Sequence, residues 1–267
     1  MSRPYAEVIG DPIIQSKSPA IHGFWLGKLG IDAEYRACHV RADELADYFV
    51  QRRTDADWRG CNITMPHKQA AMVHLDRIDP AAARIGAVNT VVREATGLSG
   101  YNTDAPGFLE PLEGRRFSVV TVIGAGGAAR AILAALADEG VQWVSLQNRS
   151  IAKGEALLTE FGLNGCVVEP GSDVRPAELL VNTSSLGMAG YPPMPPVERS
   201  VADGGVVYDI VTSPLDTLLL RAARARGLRT IDGLAMLIGQ AAVAFEKFFG
   251  RPAPREHDAA LRARLTS

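Results

Sequence analysis

The fold is decided by the stretch Val119-Val120-Thr121-Val122-Ile123-Gly124-Ala125-Gly126-Gly127-Ala128-Ala129-Arg130. It starts with an apolar run typical of a buried strand and passes through a glycine-rich turn into a helix pattern. Glycines let the backbone approach a pyrophosphate, and the N-terminus of the following helix offers N–H groups and the positive end of the helix dipole. Glycine-rich turns are common in α/β proteins, so the turn alone only suggests a nucleotide site.

A second motif, Asn148-Arg149-Ser150, follows the next predicted strand and makes the suggestion specific. At this position an NAD-binding unit usually carries an acid for the ribose 2′-hydroxyl, whereas a cation suits a 2′-phosphate. Arg149 and Lys153 therefore predict NADP. The alternative is a solvated helix start, although cations are mildly unfavourable at a helix N-terminus.

The composition limits the classes of protein to which the chain can belong. The chain has 267 residues, 47% of them hydrophobic, and a net charge of −2, which allows two domains and indicates neither a nucleic acid nor a membrane as partner. The three cysteines lie far apart and the five histidines lack metal-ligand spacing, so we expect neither disulfides nor a metal site. With no apolar signal region and no apolar stretch near the roughly 18 residues of a membrane span, we expect a cytoplasmic protein. We further expect a small-molecule substrate, and the sequence leaves open whether the protein is a monomer or a homodimer.

Strand and helix patterns alternate along the chain, which predicts an α/β fold with parallel sheets. In the first part, strands are predicted at 5–9, 35–40, 60–63 and 87–92, and 97–104 is typical of a turn. Helices are predicted over 43–53, from Pro66, and from Ser18, the last with an apolar face of Ile21, Phe24, Trp25 and Leu29.

The second part is predicted to be a nucleotide-binding unit. Its strands are expected at 119–123, 143–147, 165–168, 179–182, 206–210 and 229–231, followed by helices over 234–249 and 257–265. The proline-rich segment 191–196 must be a loop. We expect a first domain of residues 1–104, completed by 234–267, and a nucleotide domain of residues 105–233, with substrate between them.

Polar residues interrupt the apolar pattern at four places. Ser16 and Ser18 put two hydroxyls at a helix start, which suits a carboxylate, although Ser18 could simply be the N-cap. Lys68 lies in a predicted first helical turn, where a cation opposes the dipole. It is either a surface side chain or, in a partly desolvated cleft, a group that donates or accepts a proton.

The other two places involve carboxamides and an acid. Asn89 is predicted inside an apolar strand, where a buried amide needs a partner that a ligand could supply. Asp104 follows the turn and is either an N-cap or a reactive carboxylate. Gln240 lies near the buried face of a long helix, either at its solvent edge or facing a cleft.

Eight motifs follow one another in order. They are Ser-x-Ser-Pro-x-x-His (16–22), Asn-Ile-Thr-Met-Pro-His-Lys (62–68), Gly-Ala-Val-Asn-Thr (86–90), Gly-Tyr-Asn-Thr-Asp (100–104), Gly-Ala-Gly-Gly-Ala-Ala-Arg (124–130), Asn-Arg-Ser (148–150), Asn-Thr-Ser-Ser-Leu-Gly-Met (182–188) and Met-Leu-Ile-Gly-Gln-Ala-Ala (236–242). Together they resemble the shikimate dehydrogenase family over nearly the whole chain. The resemblance implies a substrate domain, a Rossmann-type NADP domain, and reversible reduction of 3-dehydroshikimate to shikimate on the route to chorismate and aromatic amino acids.

The resemblance also implies residue roles. Lys68 and Asp104 match the catalytic pair, in which the lysine exchanges a proton with the substrate oxygen and the acid orients it. The substrate contacts would be Ser16 and Ser18 to the carboxylate, with Thr64, Asn89 and Gln240 to the ring hydroxyls. The cofactor contacts would be Gly124, Ala125, Gly126, Gly127 and Ala128 at the pyrophosphate, Asn148, Arg149, Ser150 and Lys153 at the 2′-phosphate, and Thr183, Ile210, Gly233 and Met236 along the pocket.

Three positions depart from the family pattern. Thr212 stands where a substrate-contacting tyrosine is usual, Gln15 where histidine is common, and Ala235 where glycine is frequent. Two rival functions are a quinate/shikimate dehydrogenase of broader specificity and a non-catalytic NADP-binding regulator on the same fold. Arg149 and Ser150 argue against a preference for NAD, and the presence of both Lys68 and Asp104 argues against a regulator.

Overall fold

The alternating patterns of the sequence form two separate β-sheets. The computed structural model describes residues 3–266, and the twelve strands within them form two sheets of six. Each sheet belongs to one of two compact units, the first comprising Met1–Gly107 with Ile238–Ser267 and the second comprising Phe108–Leu237. The α/β class is as predicted.

The elements are numbered along the chain. The strands are β1 (Tyr5–Gly10), β2 (Glu34–His39), β3 (Trp58–Ile63), β4 (Arg77–Ile78), β5 (Thr90–Glu94), β6 (Gly97–Tyr101), β7 (Val119–Ile123), β8 (Trp143–Gln147), β9 (Gly165–Val168), β10 (Ala177–Asn182), β11 (Val201–Asp209) and β12 (Arg229–Ile231). The helices are α1 (Ser18–Leu29), α2 (Leu45–Thr54), α3 (Pro80–Ile85), α4 (Asp104–Leu109), α5 (Gly127–Asp138), α6 (Ile151–Glu160), α7 (Leu218–Ala225), α8 (Gly233–Phe249) and α9 (Asp258–Thr266).

The first sheet is mixed, in the order β2-β1-β3-β5-β6-β4. β1 is parallel to β2 and β3, but β5 is antiparallel to both β3 and β6, so the prediction of a parallel sheet is wrong here. Asn62 near the end of β3 pairs with Thr90 at the start of β5, and Thr90 pairs with Tyr101 at the end of β6. The antiparallel strand thus brings these three strand termini to one edge.

Two local predictions in the first unit are also wrong. Residues 97–101 form β6 rather than a turn, because hydrogen bonds to β5 and β4 on its two sides outweigh the poor strand propensity of its glycines. No α-helix starts at Pro66. Residues 64–69 form turns in which His67 N donates to Thr64 O over 3.1 Å, and a 3₁₀ segment, Ala70–His74, follows. The buried His67 ring fixes these turns by donating from Nε2 to Val40 O, 2.6 Å away.

The second sheet is parallel throughout, in the order β12-β11-β10-β7-β8-β9. The predicted bounds of β7, β8, β9 and β12 coincide with the observed ones. The chain enters at β7, proceeds to β8 and β9 on one side, and returns to β10 on the other. Such a switch point leaves a crevice beyond the carboxyl ends of the strands, where open α/β sheets bind ligands.

The buried face of α1 differs from the predicted one. Ile21 and Trp25 are buried as expected, but His22 is also fully buried, whereas Phe24 is only partly buried. The His22 ring stacks on Tyr35 with 3.9 Å between centroids, and neither ring nitrogen has a hydrogen-bond partner among residues 3–266. Burial lowers the pKa of His22 from 6.5 to about 3.

This histidine makes the protein acid-sensitive. Between pH 6.5 and the folded-state pKa of about 3 the unfolded chain binds one more proton at His22, so stability falls as the pH is lowered. Between pH 7 and pH 5 the loss attributable to this group is about 2 kcal/mol. Urea unfolding at both pH values should therefore show a smaller loss for His22→Phe than for wild type by about that amount. His39→Gln, which alters an exposed ring, is the control. Equal losses in wild type and His22→Phe would contradict the assignment.

Candidate active site

In the first unit, a polar cluster lies at the edge where β1, β3 and β6 end and β5 begins. Its central contact is an ion pair between Lys68 Nζ and Asp104 Oδ2. The side chains are 14% and 3% exposed, respectively, so both charges are largely removed from water. Breaking such a pair leaves a buried charge uncompensated, which makes the position of each group depend strongly on the other. The surface alternative for Lys68 and the capping alternative for Asp104 do not describe this geometry.

Asn89 connects Asp104 to three further segments. The two N–H groups of its Nδ2 are shared among three acceptors, Asp104 Oδ1 (2.9 Å), Thr103 Oγ1 (3.0 Å) and Gln240 Oε1 (2.9 Å). Its Oδ1 accepts from Thr103 N (2.7 Å) and Thr90 Oγ1 (3.0 Å). The residue precedes β5 instead of lying inside a strand. The buried amide does have the partners that it needs, and in this structure protein groups supply them.

Two contacts position Gln240: the hydrogen bond from Asn89 and the close packing of its backbone against α4. It lies on α8, and a Cβ atom at Gly107 of α4 would approach Gln240 N to 2.6 Å. The glycine therefore permits the two helices to come into contact at this point. The Gln240 carboxamide is hydrogen-bonded to Asn89, so it faces the polar cluster and does not lie only at the solvent edge of the helix.

The predicted carboxylate-binding hydroxyls lie at the end of the loop that follows β1 and at the start of α1. Ser16 Oγ accepts from Ser18 N over 3.3 Å, and Ser18 is the first helical residue, so it is not the N-cap. Thr64 follows β3 and its backbone N donates to Ile9 O over 2.9 Å. A Cβ at Gly10 would lie 2.4 Å from Thr64 Cγ2, so only glycine allows this approach. Gln15 is exposed.

In the second unit, the predicted pyrophosphate turn joins β7 to α5. Gly124 has a φ of +100°, and a Cβ there would lie 2.9 Å from Thr183 Oγ1. Gly126 is the N-cap of α5, without a side-chain hydrogen bond, and a Cβ on it would meet nothing within 4 Å. The first N–H groups of α5, which include those of Gly127 and Ala128, thus adjoin open space, as an anion site requires.

The predicted 2′-phosphate residues follow β8, the neighbouring strand. Arg149 and Lys153 are exposed, and neither side chain makes an ion pair with another described residue. Ser150 is the N-cap of α6 and accepts from Lys153 N over 3.4 Å. Asn148 Nδ2 donates to Ser150 O over 2.8 Å, which fixes the turn that carries Arg149. Two cations without acids beside a helix N-terminus are suited to a phosphate.

The remaining predicted cofactor residues follow the next strands in order. Thr183 follows β10 and donates to Ile123 O over 2.7 Å, and Ile210 follows β11. Gly233 is the first residue of α8, which follows β12. A Cβ atom on Gly233 would lie 2.4 Å from Ile210 O. Met236, one turn later in α8, is buried. All the predicted cofactor segments therefore lie at carboxyl ends of adjacent strands.

Sequence reasoning missed the acid that organises this edge. Asp209, fully buried at the end of β11, accepts from Asn182 Nδ2 (2.9 Å), Val211 N (3.1 Å) and Thr217 Oγ1 (2.7 Å). Burial raises its pKa above the ordinary value, and these hydrogen bonds oppose the rise. The bonds fix the loop that carries Thr212, which is half-buried. The available signal was an aspartate ending the apolar run Val206-Val207-Tyr208.

Neither a group of metal-ligating side chains nor a membrane-spanning helix was found among the residues that the structure describes. Residues 3–266 contain no group of three or more His, Cys, Asp or Glu residues arranged to hold a metal ion. No helix in that range combines the length and apolar character needed to cross a membrane. The cysteines Cys38, Cys61 and Cys166 are all free thiols.

The parallel sheet of the second unit with its glycine turn, together with the lysine–carboxylate pair of the first unit, defines a dinucleotide-dependent oxidoreductase. Residues 8–91 match the model of the shikimate dehydrogenase substrate binding domain, and residues 233–259 match that of the shikimate 5′-dehydrogenase C-terminal domain. A shikimate dehydrogenase (NADP(+)) from Sphingopyxis alaskensis is 55% identical over 270 residues, covering 99% of this chain and 97% of the relative. The chain belongs to the shikimate dehydrogenase family.

Solved structures agree over almost the full length. Shikimate 5-dehydrogenase from Thermus thermophilus, in complex with NADP(H) and shikimate, superposes with a TM-score of 0.87 at 38% identity, covering 98% of this chain and 99% of that one. Quinate dehydrogenase from Corynebacterium glutamicum, in complex with NAD, has a TM-score of 0.87 at 30% identity, with 98% and 99% covered. The fold is thus shared by enzymes named for different substrates.

Proposed function

We propose that this protein catalyses the reversible NADPH-dependent reduction of 3-dehydroshikimate to shikimate, with Lys68 and Asp104 as its catalytic residues. The observation that carries the proposal is their buried ion pair at an edge lined with hydroxyl and carboxamide groups. A regulator that only bound NADP would have no need of a charged pair held away from water, since such a pair seldom adds stability. Membership of the family supplies the substrate class.

The second unit fits NADP(H) on its own geometry. The open space above Gly126 and the uncapped start of α5 suit the pyrophosphate, and the unpaired Arg149 and Lys153 suit the 2′-phosphate. Ser150 and Asn148 would complete the phosphate contacts, while Thr183, Ile210, Gly233 and Met236 would line the pocket. When bound, the reduced cofactor supplies the hydride for the C3 carbonyl carbon of the substrate.

Lys68 supplies the proton. Its ammonium has three N–H groups, and Asp104 is its acceptor among residues 3–266, which leaves N–H groups to donate to the substrate oxygen. As negative charge develops on that oxygen, the ammonium transfers a proton to it. In the reverse direction neutral Lys68 accepts the hydroxyl proton. Asp104 holds the amine in place through Oδ2, and Asn89 holds Oδ1 of Asp104.

The substrate would be oriented by groups of the same edge. Ser16 and Ser18 would bind its carboxylate, and Thr64, Asn89 and Gln240 its ring hydroxyls. Because the Asn89 amide is already bonded to Gln240, substrate binding at this point would exchange one hydrogen bond for another. Thr212 is the further predicted contact.

Initial rates with shikimate and quinate, each with NADP⁺ and NAD⁺, test the function directly. The proposal expects shikimate with NADP⁺ to give the highest kcat/KM. Quinate with NAD⁺ as the preferred pair would replace it with the quinate dehydrogenase alternative. Binding of NADP⁺ without turnover of either substrate would indicate a regulator.

Removing the proton donor should affect kcat most. Lys68→Ala should lower kcat for shikimate oxidation by roughly 10²-fold or more, with a smaller change in KM, because general acid–base groups contribute on this scale. Circular dichroism and NADP⁺ titration of the variant check that both units remain folded. A kcat within a few-fold of wild type in folded protein would exclude Lys68 as the donor.

The cofactor preference should depend on Arg149. Arg149→Ala should lower kcat/KM for NADP⁺ by about 10- to 150-fold, since a charge-assisted hydrogen bond contributes about 1.5–3 kcal/mol. The value for NAD⁺ should change little, because NAD⁺ has no 2′-phosphate. Arg116→Ala, an exposed arginine of the same unit, is the matched control. Equal losses with both cofactors would contradict the phosphate assignment.

Substitution of Thr212 tests whether this residue contacts the substrate. Threonine is too short to replace a tyrosine hydroxyl, so Thr212→Tyr should lower KM for shikimate by roughly 2- to 12-fold, the equivalent of one neutral hydrogen bond of about 0.5–1.5 kcal/mol. If the smaller residue instead makes room for quinate, Thr212→Tyr should lower the quinate-to-shikimate ratio of kcat/KM. Ser213→Tyr adds the same ring at an exposed neighbour as a control. No change in either quantity would show that position 212 does not face the substrate.

A further inference from the structure

A second polar groove lies in the first unit, at the end of the strands opposite to Lys68 and Asp104. It has a volume of about 400 Å³. Arg59 lies near the start of β3 and Arg93 near the end of β5, whereas the Asn62–Thr90 pair marks the Lys68 end of the same two strands. The groove is therefore separate from the proposed catalytic site.

Two arginines border the groove. Arg59 precedes Gly60 on β3 and Arg93 follows Val92 on β5, and Gly60 pairs with Val92 in the antiparallel register of these strands. Neither arginine makes an ion pair with any residue in the described part of the chain. The positive charges of both arginines are therefore available to a ligand.

The rest of the lining adds positive charge and apolar surface. Lys247 lies on the same groove, with its Nζ 3.7 Å from the Tyr101 ring centroid. The acid on the lining, Asp32, is already paired with Arg3 at 2.9 Å. The apolar walls are formed by Pro4, Ile31, Val92, Phe248 and Phe249. A groove with three cations and aromatic walls suits a ligand with an anionic group on an apolar body.

We propose that this groove binds a small organic anion, with its carboxylate or phosphate between Arg59 and Arg93 and its apolar body against Phe249. The anion supplies the opposite charge that neither arginine finds within the described part of the chain. Arg forms bidentate hydrogen bonds to both carboxylate and phosphate, which makes either group suitable. The proposal is independent of the catalytic assignment.

Isothermal titration calorimetry at constant ionic strength tests the site, with benzoate and phenyl phosphate as probes and inorganic phosphate for comparison. The two organic probes distinguish a carboxylate from a phosphate site, and inorganic phosphate should bind more weakly because it lacks the apolar body. The variant Arg59→Gln/Arg93→Gln should bind the preferred probe at least about tenfold more weakly, the scale of a lost charge-assisted hydrogen bond.

Controls separate this groove from the other anion sites. Arg149→Ala and Arg116→Gln should bind the probe as wild type does, because their arginines lie in the second unit. The double variant should retain the wild-type rate of shikimate oxidation without the probe, which shows that it is folded. The proposal is overturned if the double variant binds the probe as tightly as wild type, or if wild type binds neither organic probe at millimolar concentrations.

Discussion

The carboxamide of Asn89 is the contact on which the polar edge of the first unit depends. It joins the residue before β5 to Thr103 and Asp104 at the start of α4 and to Gln240 on α8. A buried amide left without partners costs about 1–3 kcal/mol, so these segments are held in register by the requirement to satisfy one side chain. Asp104 is thereby oriented before any substrate arrives, and Lys68 is oriented by Asp104.

The topology of the first sheet makes this contact possible. In a wholly parallel sheet the start of β5 would lie at the opposite edge from the ends of β1 and β3. Because β5 runs antiparallel to both β3 and β6, its start lies at the same edge as their ends. Asn89, which precedes β5, therefore lies at the edge where Thr64 follows β3 and Asp104 follows β6. The reversal of one strand therefore decides which chemical groups meet.

The second unit could be predicted from sequence more closely than the first, for a physical reason. Inner strands of a parallel sheet are buried on both faces and form apolar runs, as β7 does, and they set the alternating pattern from which the bounds of β7, β8, β9 and β12 are predicted to the residue. In the first unit, β6 contains Gly97 and Gly100, and its pairing with two neighbours is a tertiary effect that no local pattern reveals. The bonding of the site was hidden for the same reason, since Asn89 is bonded to Gln240, 151 residues away, and Asp209 accepts from Asn182 on the neighbouring strand.

The charges of the two units are arranged in opposite ways, and the proposed chemistry accounts for the difference. Lys68 and Asp104 are paired and nearly buried, whereas Arg149 and Lys153 are exposed and make no ion pair with any residue between 3 and 266. A proton donor must be held at one position before the reaction, since misplacement weakens catalysis steeply. A phosphate contact needs no such partner, because the ligand itself supplies the opposite charge. An acid beside Arg149 would compete with a bound 2′-phosphate, so an unpaired cation at this position suits the preference for NADP over NAD that we propose.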